Sequence, residues 1–446
     1  MAFQPLRDGA FPADTAAVCI GSGRFLRAVL VPTLRAAGSG VVVAQTRGTD
    51  FVEWCAQQQG KYEVDTIQKD GSVQSQEIQL EAVGSLGTSD GRAAFLELPS
   101  KLPNLRYIGV GVTESGVVKD GPAIIVLAEF LAKSFQTLPE NTISVINTDN
   151  LPHNGATIKQ LVKETQVAGV DAAAFHGYLD SKVHFHNTMV DRLTSHRAGS
   201  KHVPLTEPWP TKTLVIEDLK QVLDAKVLGA LPGVAIRTSA GQLEQDHLLK
   251  LSIANATHTA IVYLLALLRS KTTCELLGFP EIRQYLDLLY QQDIEPSLVA
   301  RGVSKDDAKQ TYNEWMGRVE HEHFGLDNFW VGQNAMLKYG VRLFSTIAAN
   351  VNHSPEYRPS VFIAFATAII LRYLTPAQSD SRKEAKSPTF VGELDPIQDK
   401  TPVYSVTEKT WIYANGLTAN ISTGKYEFLD GEDGKTSKLL WRISKD

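Results

Sequence analysis

Three polar residues whose side chains exchange protons or donate hydrogen bonds stand close together in the chain: Lys250, Asn255 and His258. They lead into the apolar run 259–268, which contains no turn residue and therefore predicts a buried helix. At about 100° per residue, the three side chains fall within an arc of roughly 140°, with His258 between the other two. A buried helix carries such groups only where each has a partner, so they are candidates for one wall of a catalytic cleft. The alternative is structural: a solvated lysine and two core residues with satisfied hydrogen bonds.

The composition is that of an ordinary globular protein. Its 446 residues allow two or three domains, with 43% hydrophobic and 21% charged residues. The formal net charge of −5 gives no electrostatic reason to expect nucleic acid or an anionic membrane surface as a partner. The three cysteines are widely spaced, which favours a reducing compartment and no thiolate zinc site. The N-terminus does not resemble a signal peptide and the longest apolar run is too short to cross a bilayer, so we expect a cytoplasmic protein.

The N-terminal part has the pattern that opens a doubly wound, Rossmann-like α/β fold. An apolar strand over 15–20 runs into a turn with Gly21 and Gly23, and a helical pattern separates it from a second apolar strand over 41–46. Glycines at such a turn let the backbone approach a pyrophosphate at the helix N-terminus. The third position of the glycine fingerprint holds Leu26, so an ordinary tight turn is the alternative.

The residues after the second strand bear on the choice of cofactor. A fold selective for NAD usually has an acid here that binds the ribose hydroxyls, whereas this chain has Gln45, Thr46 and Arg47, with Asp50 slightly later. Arg47 is suited to a 2′-phosphate. We therefore expect NAD, with NADP as an open alternative.

Further along, the order of elements continues an α/β domain with an inserted β-hairpin. Asp149 and Asn150 follow the strand over 142–147, at the carboxyl end where catalytic groups gather in such folds. Alternatively, Asp149, Asn150 and Asn154 form the turn and cap a helix that begins at Ala156. The other predicted elements are a hairpin over 61–83, a strand over 105–114 and a helix over 121–135.

A small-residue hinge at 238–241 divides the prediction into a dinucleotide-binding domain over 1–240 and a mainly helical substrate domain over 241–446. His321 and His323 are better explained as a solvated helix end than as a metal site, because they lack a third ligand. Ala377 to Pro388 is polar and predicts a surface loop, and 425–443 predicts a hairpin. The predicted helices cover 242–271, 280–290, 304–319, 330–350 and 358–375.

With these segments in place, the sequence resembles the polyol-specific long-chain dehydrogenase/reductase family, which includes mannitol dehydrogenase. The spacing of Lys250, Asn255 and His258 matches the family's Lys, four residues, Asn, two residues, His. The resemblance leans towards the branch that reduces keto-hexuronates, tagaturonate and fructuronate. Further similar segments are Gly21–Ala28, Asp149–Gly155, Met189–Arg192 and Lys338–Arg342.

The resemblance implies metal-free hydride transfer between a secondary alcohol and a ketone, with Lys250 as the general acid–base. Burial and a positively charged nicotinamide would lower the pKa of this lysine from about 10.4 towards working pH. Amides of Asn150 and Asn255 would stabilise charge on the reacting oxygen, while His258 would orient Lys250 or hold a neighbouring hydroxyl. The implied cofactor contacts are Gly21, Gly23, Arg24, Phe25, Arg47 and Asp149. The implied substrate contacts are Asn154, Asp191, Arg192, Lys338, Arg342 and Arg372, the last three as cations for a carboxylate.

Three alternatives stay open at this point. The first is a mannitol or arabinitol 2-dehydrogenase that acts on neutral polyols. The second is a zinc alcohol dehydrogenase, which the lack of a cysteine-rich ligand set disfavours. The third is a non-catalytic nucleotide-binding protein. In each case the expected partner is a small molecule; no coiled-coil pattern indicates an oligomer, so a monomer is the expectation and the oligomeric state stays open.

Overall fold

A computed structural model gives the fold of the chain over most of its length. It describes residues 3–7, 9–113, 116–268, 270–332 and 335–374, and then the short segments 403–405, 410–412, 417–420 and 425–428. The chain divides into two compact units, Met1–His247 (unit 1) and Leu248–Asp446 (unit 2). The sequence-based boundary of 240/241 lies slightly before this division.

Unit 1 is an α/β unit built around a parallel sheet. Its strands in chain order are β1 (Thr15–Ile20), β2 (Gly40–Gln45), β3 (Lys61–Ile67), β4 (Val73–Gln79), β5 (Ala82–Ser85), β6 (Tyr107–Val110), β7 (Ile143–Asn147), β8 (Val183–His186), β9 (Thr188–Val190), β10 (Thr194–Arg197), β11 (Ser200–Thr206), β12 (Leu214–Glu217) and β13 (Val234–Arg237). Six of them form the central sheet in the order β5-β2-β1-β6-β7-β8, and every neighbouring pair in it is parallel. Counted within this sheet alone, the order is 3-2-1-4-5-6, which confirms the predicted doubly wound fold.

Helices cover both faces of this sheet. Alternate residues of β1 point to opposite sides: Val18 and Ile20 belong to one hydrophobic core, Ala17 and Cys19 to the other. The helical segments of unit 1 are π1 (Leu26–Leu30), α1 (Val31–Ala36), α2 (Asp50–Gln57), α3 (Ser89–Leu96), α4 (Leu98–Lys101), α5 (Pro122–Thr137), α6 (Asn154–Glu164), α7 (Ala172–Ser181) and α8 (Ala225–Leu228). Helix α9 (Gln242–Leu249) begins in unit 1 and ends in unit 2.

The predicted hairpin insertion is confirmed, with one correction at its end. Strands β3 and β4 pair antiparallel over their whole length and join β10 and β11 in a separate four-stranded sheet. The hairpin ends at Gln79, because β5 pairs with β2 in the central sheet instead of extending β4. The strand predicted over 105–114 is also shorter, spanning only β6. A third sheet has the order β13-β12-β9.

Unit 2 is mainly helical, and three of its helical stretches contain a π-helical turn. The elements are π2 (Lys250–Asn255), α10 (Ala256–Leu267), a 3₁₀ turn (Thr273–Gly278), α11 (Pro280–Leu289), π3 (Tyr290–Ile294), α12 (Glu295–Ala300), α13 (Lys305–Val319), α14 (Asn328–Val331), α15 (Ala335–Tyr339), π4 (Gly340–Phe344), α16 (Ser345–His353) and α17 (Val361–Leu374). Two predictions change. The helix expected over 242–271 is interrupted by π2, and the one expected to end at residue 290 continues through π3 to Ala300.

The described part of unit 2 ends in four short antiparallel strands, β14 (Val403–Ser405), β15 (Thr410–Ile412), β16 (Leu417–Asn420) and β17 (Lys425–Phe428). Strand β17 pairs with the preceding strand, β16. The predicted hairpin over 425–443 instead paired it with residues that follow Gly431 and Gly434. Those residues, and the predicted loop over 377–388, lie outside the described residues.

The helical stretch Gln242–Leu267 is longer than its apolar run suggested. By length and composition alone it is sufficient to cross a membrane, and 72% of its most apolar part is buried in the protein. Such burial is typical of a core helix.

Candidate functional site

In the glycine turn after β1, the fold requires glycine at one of the two glycine positions and has room for a Cβ atom at the other. Gly21 has φ +116°, and a Cβ at this position would lie 2.2 Å from the carbonyl oxygen of Gly111. Gly23 is exposed, and its Cβ would lie at an ordinary 3.7 Å from the same oxygen. The amide of Arg27 donates to the Gly23 carbonyl over 3.1 Å and so begins the helix. The amides before it point out of the helix start, as in an anion-binding turn.

Leu26 takes the place of the third fingerprint glycine because Gly111 makes room for it. A Cβ on Gly111 would lie 2.4 Å from the Leu26 side chain, which is buried. The close approach of helix and sheet is therefore retained, with the missing side chain on the strand side. This compensation supports the interpretation of the segment as a dinucleotide turn.

Arg24 and Phe25 lie at the start of this helix and are both half-buried. The Arg24 Nη1 lies 3.4 Å from Nδ1 of His196, and burial lowers the pKa of this arginine. The following Arg27 is buried, donates to the carbonyls of Ser22 and His202, and stands over the ring of Phe51. Arg27 therefore fixes the shape of the turn, while Arg24 is placed at its rim.

The residues after β2 do not supply a carboxylate for a ribose. The Gln45 side chain turns inwards and accepts from the amides of Phe51 and Val52 at 3.1 Å each, which caps α2. Its amide nitrogen donates to Asp50, and Asp50 also forms an ion pair with Lys201 at 2.8 Å. These bonds lower the pKa of Asp50 to about 2. Arg47 is exposed beside them. These residues therefore do not decide between NAD and NADP.

At the carboxyl end of β7, the predicted residues separate into two groups. Asp149 is buried and accepts from the Leu151 amide at 2.9 Å, whereas Asn150 is exposed. Asn154 is fully buried and its amide is bonded to Thr188 and to the Gly155 amide, which gives it a structural role. Helix α6 begins at Asn154, two residues earlier than predicted.

Arg192, one of the predicted substrate contacts, makes its hydrogen bonds within unit 1. It is 5% exposed, and its guanidinium donates to the carbonyls of Ala28 and Glu207 and stacks over Trp209 at 4.0 Å. Burial lowers its pKa to about 10. These bonds hold elements of unit 1 together, and no substrate contact is needed to explain this residue. The neighbouring Asp191 is half-buried.

In unit 2, Lys250 and Asn255 are the first and last residues of π2. In an α-helix these two side chains would be separated by about 140° around the helix axis. In a π-turn the hydrogen bond joins residues five apart, so positions 250 and 255 lie one turn apart on the same side. Both residues are half-buried. Turns of this kind are rare and often occur at functional sites.

His258 follows π2 in the first turn of α10 and is 8% exposed. Its Nε2 is buried and has no hydrogen-bond partner in the structure. Burial, reinforced by the positive charges of Arg342, Lys338 and Arg318, lowers the pKa of His258 to about 3. The ring is therefore neutral at physiological pH, and it presents one unsatisfied nitrogen.

The cations predicted to bind a carboxylate differ in their placement. Lys338 and Arg342 are half-buried on α15 and π4, where Lys338 donates to the Val331 carbonyl and Arg342 to the Thr259 hydroxyl at 2.9 Å. Every charged group that shifts the pKa of His258 is a cation. Arg372 is exposed on α17. Arg342 thus bonds to the residue next to His258, and the positive charges of Lys338 and of Arg318, which was not among the predicted site residues, act on the same imidazole.

Of the two histidines expected at a solvated helix end, His323 is exposed just after α13, as predicted, whereas His321 is buried. His321 is 4% exposed, and its Nδ1 accepts from the His323 amide at 3.2 Å. Within the described residues, no group of three or more His, Cys, Asp or Glu side chains is arranged to hold a metal ion.

The fold and the glycine turn define unit 1 as a Rossmann-type dinucleotide-binding unit. Residues 15–223 match the family model described as the mannitol dehydrogenase Rossmann domain. The predicted resemblance is thereby confirmed, whereas the lean towards the keto-hexuronate branch stays a prediction.

Curated relatives and solved structures agree with this family. The chain is 30% identical over 178 residues to a mannitol 2-dehydrogenase of Pyrenophora tritici-repentis, which is 37% of this chain and 31% of the relative. It is 27% identical over 180 residues to one of Phaeosphaeria nodorum, 37% and 30% of the two chains. The chain therefore matches about a third of the length of these relatives.

Two solved structures share the fold over most of the chain. The Pseudomonas fluorescens mannitol 2-dehydrogenase, solved as a ternary complex with NAD and D-mannitol, superposes with a TM-score of 0.61 at 19% identity and covers 83% of this chain and 82% of its own. A D-sorbitol dehydrogenase in substrate-free form gives 0.68 at 16% identity, covering 100% and 96%.

Proposed function

We propose that the protein is an NAD(P)-dependent oxidoreductase that interconverts the secondary alcohol and the ketone of a sugar acid, a hexonate and keto-hexuronate pair such as altronate and tagaturonate. The observation that carries the proposal is the polar cluster of unit 2. It combines a half-buried lysine and amide on one π-turn with a buried neutral imidazole and three cations around that imidazole. The family match of unit 1 supports the dehydrogenase class.

Unit 1 is suited to the cofactor. The exposed Gly23 and the amides at the helix start offer a place for a pyrophosphate, with Arg24 and Phe25 at the rim. We assign NAD, because the Pseudomonas fluorescens relative was solved with NAD. NADP is the alternative, since Gln45 replaces the usual acid and Arg47 is exposed. The bound nicotinamide would take up hydride from the carbinol carbon or return it.

We assign the proton transfer to Lys250. During oxidation its Nζ takes the hydroxyl proton, and during reduction its ammonium returns the proton to the carbonyl oxygen. The amide of Asn255 donates to the same oxygen as negative charge develops there. The catalytic role of Asn150 stays a prediction.

His258 is not suited to this proton transfer at neutral pH. An imidazole with a pKa of about 3 is unprotonated there and is a weak base. Its unsatisfied Nε2 is instead suited to a hydrogen bond with a substrate hydroxyl. Such a bond would remove the free-energy cost of a buried polar atom without a partner. This assignment follows one of the two roles that the sequence analysis left open.

The cations favour a substrate with a carboxylate. A cluster of Lys338, Arg342 and Arg318 raises the local positive potential, and charge-assisted hydrogen bonds to a carboxylate are among the stronger polar contacts. A neutral polyol, as in mannitol or arabinitol 2-dehydrogenases, is the second candidate. It is favoured by the names of the relatives, which are mannitol 2-dehydrogenases.

The assignment of Lys250 is tested with Lys250→Ala and Lys250→Arg. We expect both variants to bind the nicotinamide cofactor as the wild type does and to lose at least about 100-fold in kcat, because arginine retains the charge but cannot release a proton near neutral pH. Unchanged turnover in either variant would contradict the role of Lys250. Activity that is lost in a chelator and restored by zinc would favour the zinc enzyme instead. A protein that binds cofactor but turns over no substrate would favour the non-catalytic alternative.

A further inference from the structure

The π-turn that carries Lys250 is held by a buried tryptophan from another helix. Trp315 of α13 is 4% exposed, and its indole Nε1 donates to the Thr257 hydroxyl at 2.7 Å. The Thr257 hydroxyl donates in turn to the carbonyl of Ile253, also at 2.7 Å. Ile253 lies inside π2, so the indole is tied to the turn through one hydroxyl. A threonine hydroxyl that donates to the carbonyl four residues earlier competes with the backbone hydrogen bonds of the α-helix. Such competition favours a local departure from α-helical geometry, as in a π-turn.

A second tie reaches the middle of the same turn. Arg301, which follows α12, donates from Nη2 to the hydroxyl of Ser252 at 3.1 Å. The same guanidinium holds the hydroxyl of Ser297 at 3.1 Å and its carbonyl at 3.0 Å. Both serines are almost completely buried. Arg301 therefore bonds directly to π2 at Ser252, and Trp315 is linked to the next residue, Ile253, through the Thr257 hydroxyl.

Trp315 also forms a wall of the His258 site. The two ring centroids lie 5.7 Å apart at an interplanar angle of 57°, and the Arg318 guanidinium stands over the indole at 5.1 Å. One residue thus contacts the ring that we assign to a substrate hydroxyl and fixes the turn that carries the lysine.

We propose that Trp315 is a positioning residue for proton transfer, with Arg301 as its second support: it holds residues 250–255 in the π-turn that places Lys250 and Asn255 on one side of the helix. The inference rests on the proposed function of Lys250. Rare backbone turns persist where the surrounding structure determines them, and here both supports end on the turn itself. If the segment relaxed to an α-helix, Asn255 would lie about 140° around the helix axis from Lys250 and would no longer reach the same oxygen.

The test removes the indole N–H while keeping an aromatic ring, with Trp315→Phe. We expect kcat to fall about 10- to 100-fold, because small displacements of a catalytic group have effects of this size. The KM for the nicotinamide cofactor should stay within about twofold, since the change does not touch unit 1, and the pH dependence of kcat should shift with the surroundings of Lys250. Thr257→Val should give the same loss, and the double variant should lose no more than either single variant, because both interrupt one chain of bonds.

Tyr312→Phe is the matched control. Tyr312 lies on the same helix, α13, and its hydroxyl bonds to Asp287 at 2.8 Å and not to π2. This substitution removes one partly buried hydrogen bond from α13 without touching the turn, so kcat should stay within about twofold of the wild type. Equal losses in Trp315→Phe and Tyr312→Phe would overturn the proposal.

Amide hydrogen exchange over residues 250–258 gives a readout that does not depend on turnover. We expect exchange at least about tenfold faster in Trp315→Phe than in Tyr312→Phe, since the supported turn opens more often. Unchanged exchange in Trp315→Phe overturns the positioning role whatever the activity. An active Lys250→Ala variant, in contrast, would overturn the proposed function. Its turnover is measured independently of hydrogen exchange, so the two failures can be distinguished.

Discussion

The buried imidazole of His258 links stability to pH, and replacing it with glutamine isolates this link. Its pKa is about 3 in the folded protein against an ordinary value of 6.5. Because the folded-state pKa is lowered, the stabilisation is fully present above pH 6.5 and is lost as the pH falls towards 3. At pH 5 the unfolded chain has taken up the proton and the folded protein has not. The linkage relation then gives a loss of about 2 kcal/mol from this residue between pH 7.5 and pH 5.

The assay is urea unfolding at pH 7.5 and pH 5 for the wild type, His258→Gln and His353→Gln. Glutamine keeps a polar group near the position of Nε2 and does not titrate in this range. We expect the free energy of unfolding of the wild type to fall by about 2 kcal/mol more than that of His258→Gln over this interval. His353 is exposed at the end of α16, so its replacement leaves the buried ring in place and should preserve the wild-type difference. Parallel losses in the wild type and His258→Gln would refute a neutral buried imidazole.

Two further predictions concern the glycine turn and the cations. Gly21→Ala should lower the free energy of unfolding by about 2–3 kcal/mol, because of its positive φ and the contact with Gly111, whereas Gly23→Ala should leave stability near that of the wild type and weaken nucleotide binding. Urea unfolding and a nucleotide titration separate these effects, and equal destabilisation by both variants would contradict them. Arg342→Gln should raise the KM for a keto-acid by about 10- to 100-fold, the range of a charged hydrogen bond, while the exposed control Arg358→Gln should not. Equal KM values for the two variants would count against a carboxylate at Arg342.

Strands β1, β2, β6 and β7 of the central sheet were predictable because they are mainly apolar runs bounded by turn residues, whereas β5 had been assigned to the hairpin and β8 (Val183–His186) contains two histidines. In β1 and β2 every residue is buried, as expected for parallel strands covered on both faces. The position of the glycine turn followed directly from β1. What the sequence did not reveal was the compensation of Leu26 by Gly111, since these residues are far apart in the chain and only their packing shows the relation.

The π-turns were not predictable from periodicity. The apolar pattern of 242–271 fits an α-helix, and the difference depends on where individual hydrogen bonds go. The side chains that we propose to stabilise π2 belong to Arg301 and Trp315, which lie more than 40 residues away in the chain. The set of Lys250, Asn255 and His258 was thus found by residue type, whereas its geometry required the fold.

The role of each polar residue at a strand end was also hidden in the sequence. Gln45 occupies the position of the cofactor-selecting acid, yet its side chain caps α2. Asn154 and Arg192 belong to segments that resemble the family, and the structure uses both side chains inside unit 1. A motif identifies such residues, but whether they contact a ligand depends on partners that the motif does not contain.

The central claim is that the protein oxidises or reduces a sugar acid, and nicotinamide absorbance tests it most directly. The wild type is assayed with tagaturonate, fructuronate, fructose, mannitol and arabinitol, each with NAD(H) and with NADP(H). We expect turnover on the keto-acids with kcat/KM at least about tenfold above that on any neutral substrate, the minimum expected from one charged contact. Preferred turnover of fructose, mannitol or arabinitol would contradict the sugar-acid assignment and make the polyol dehydrogenase the correct function.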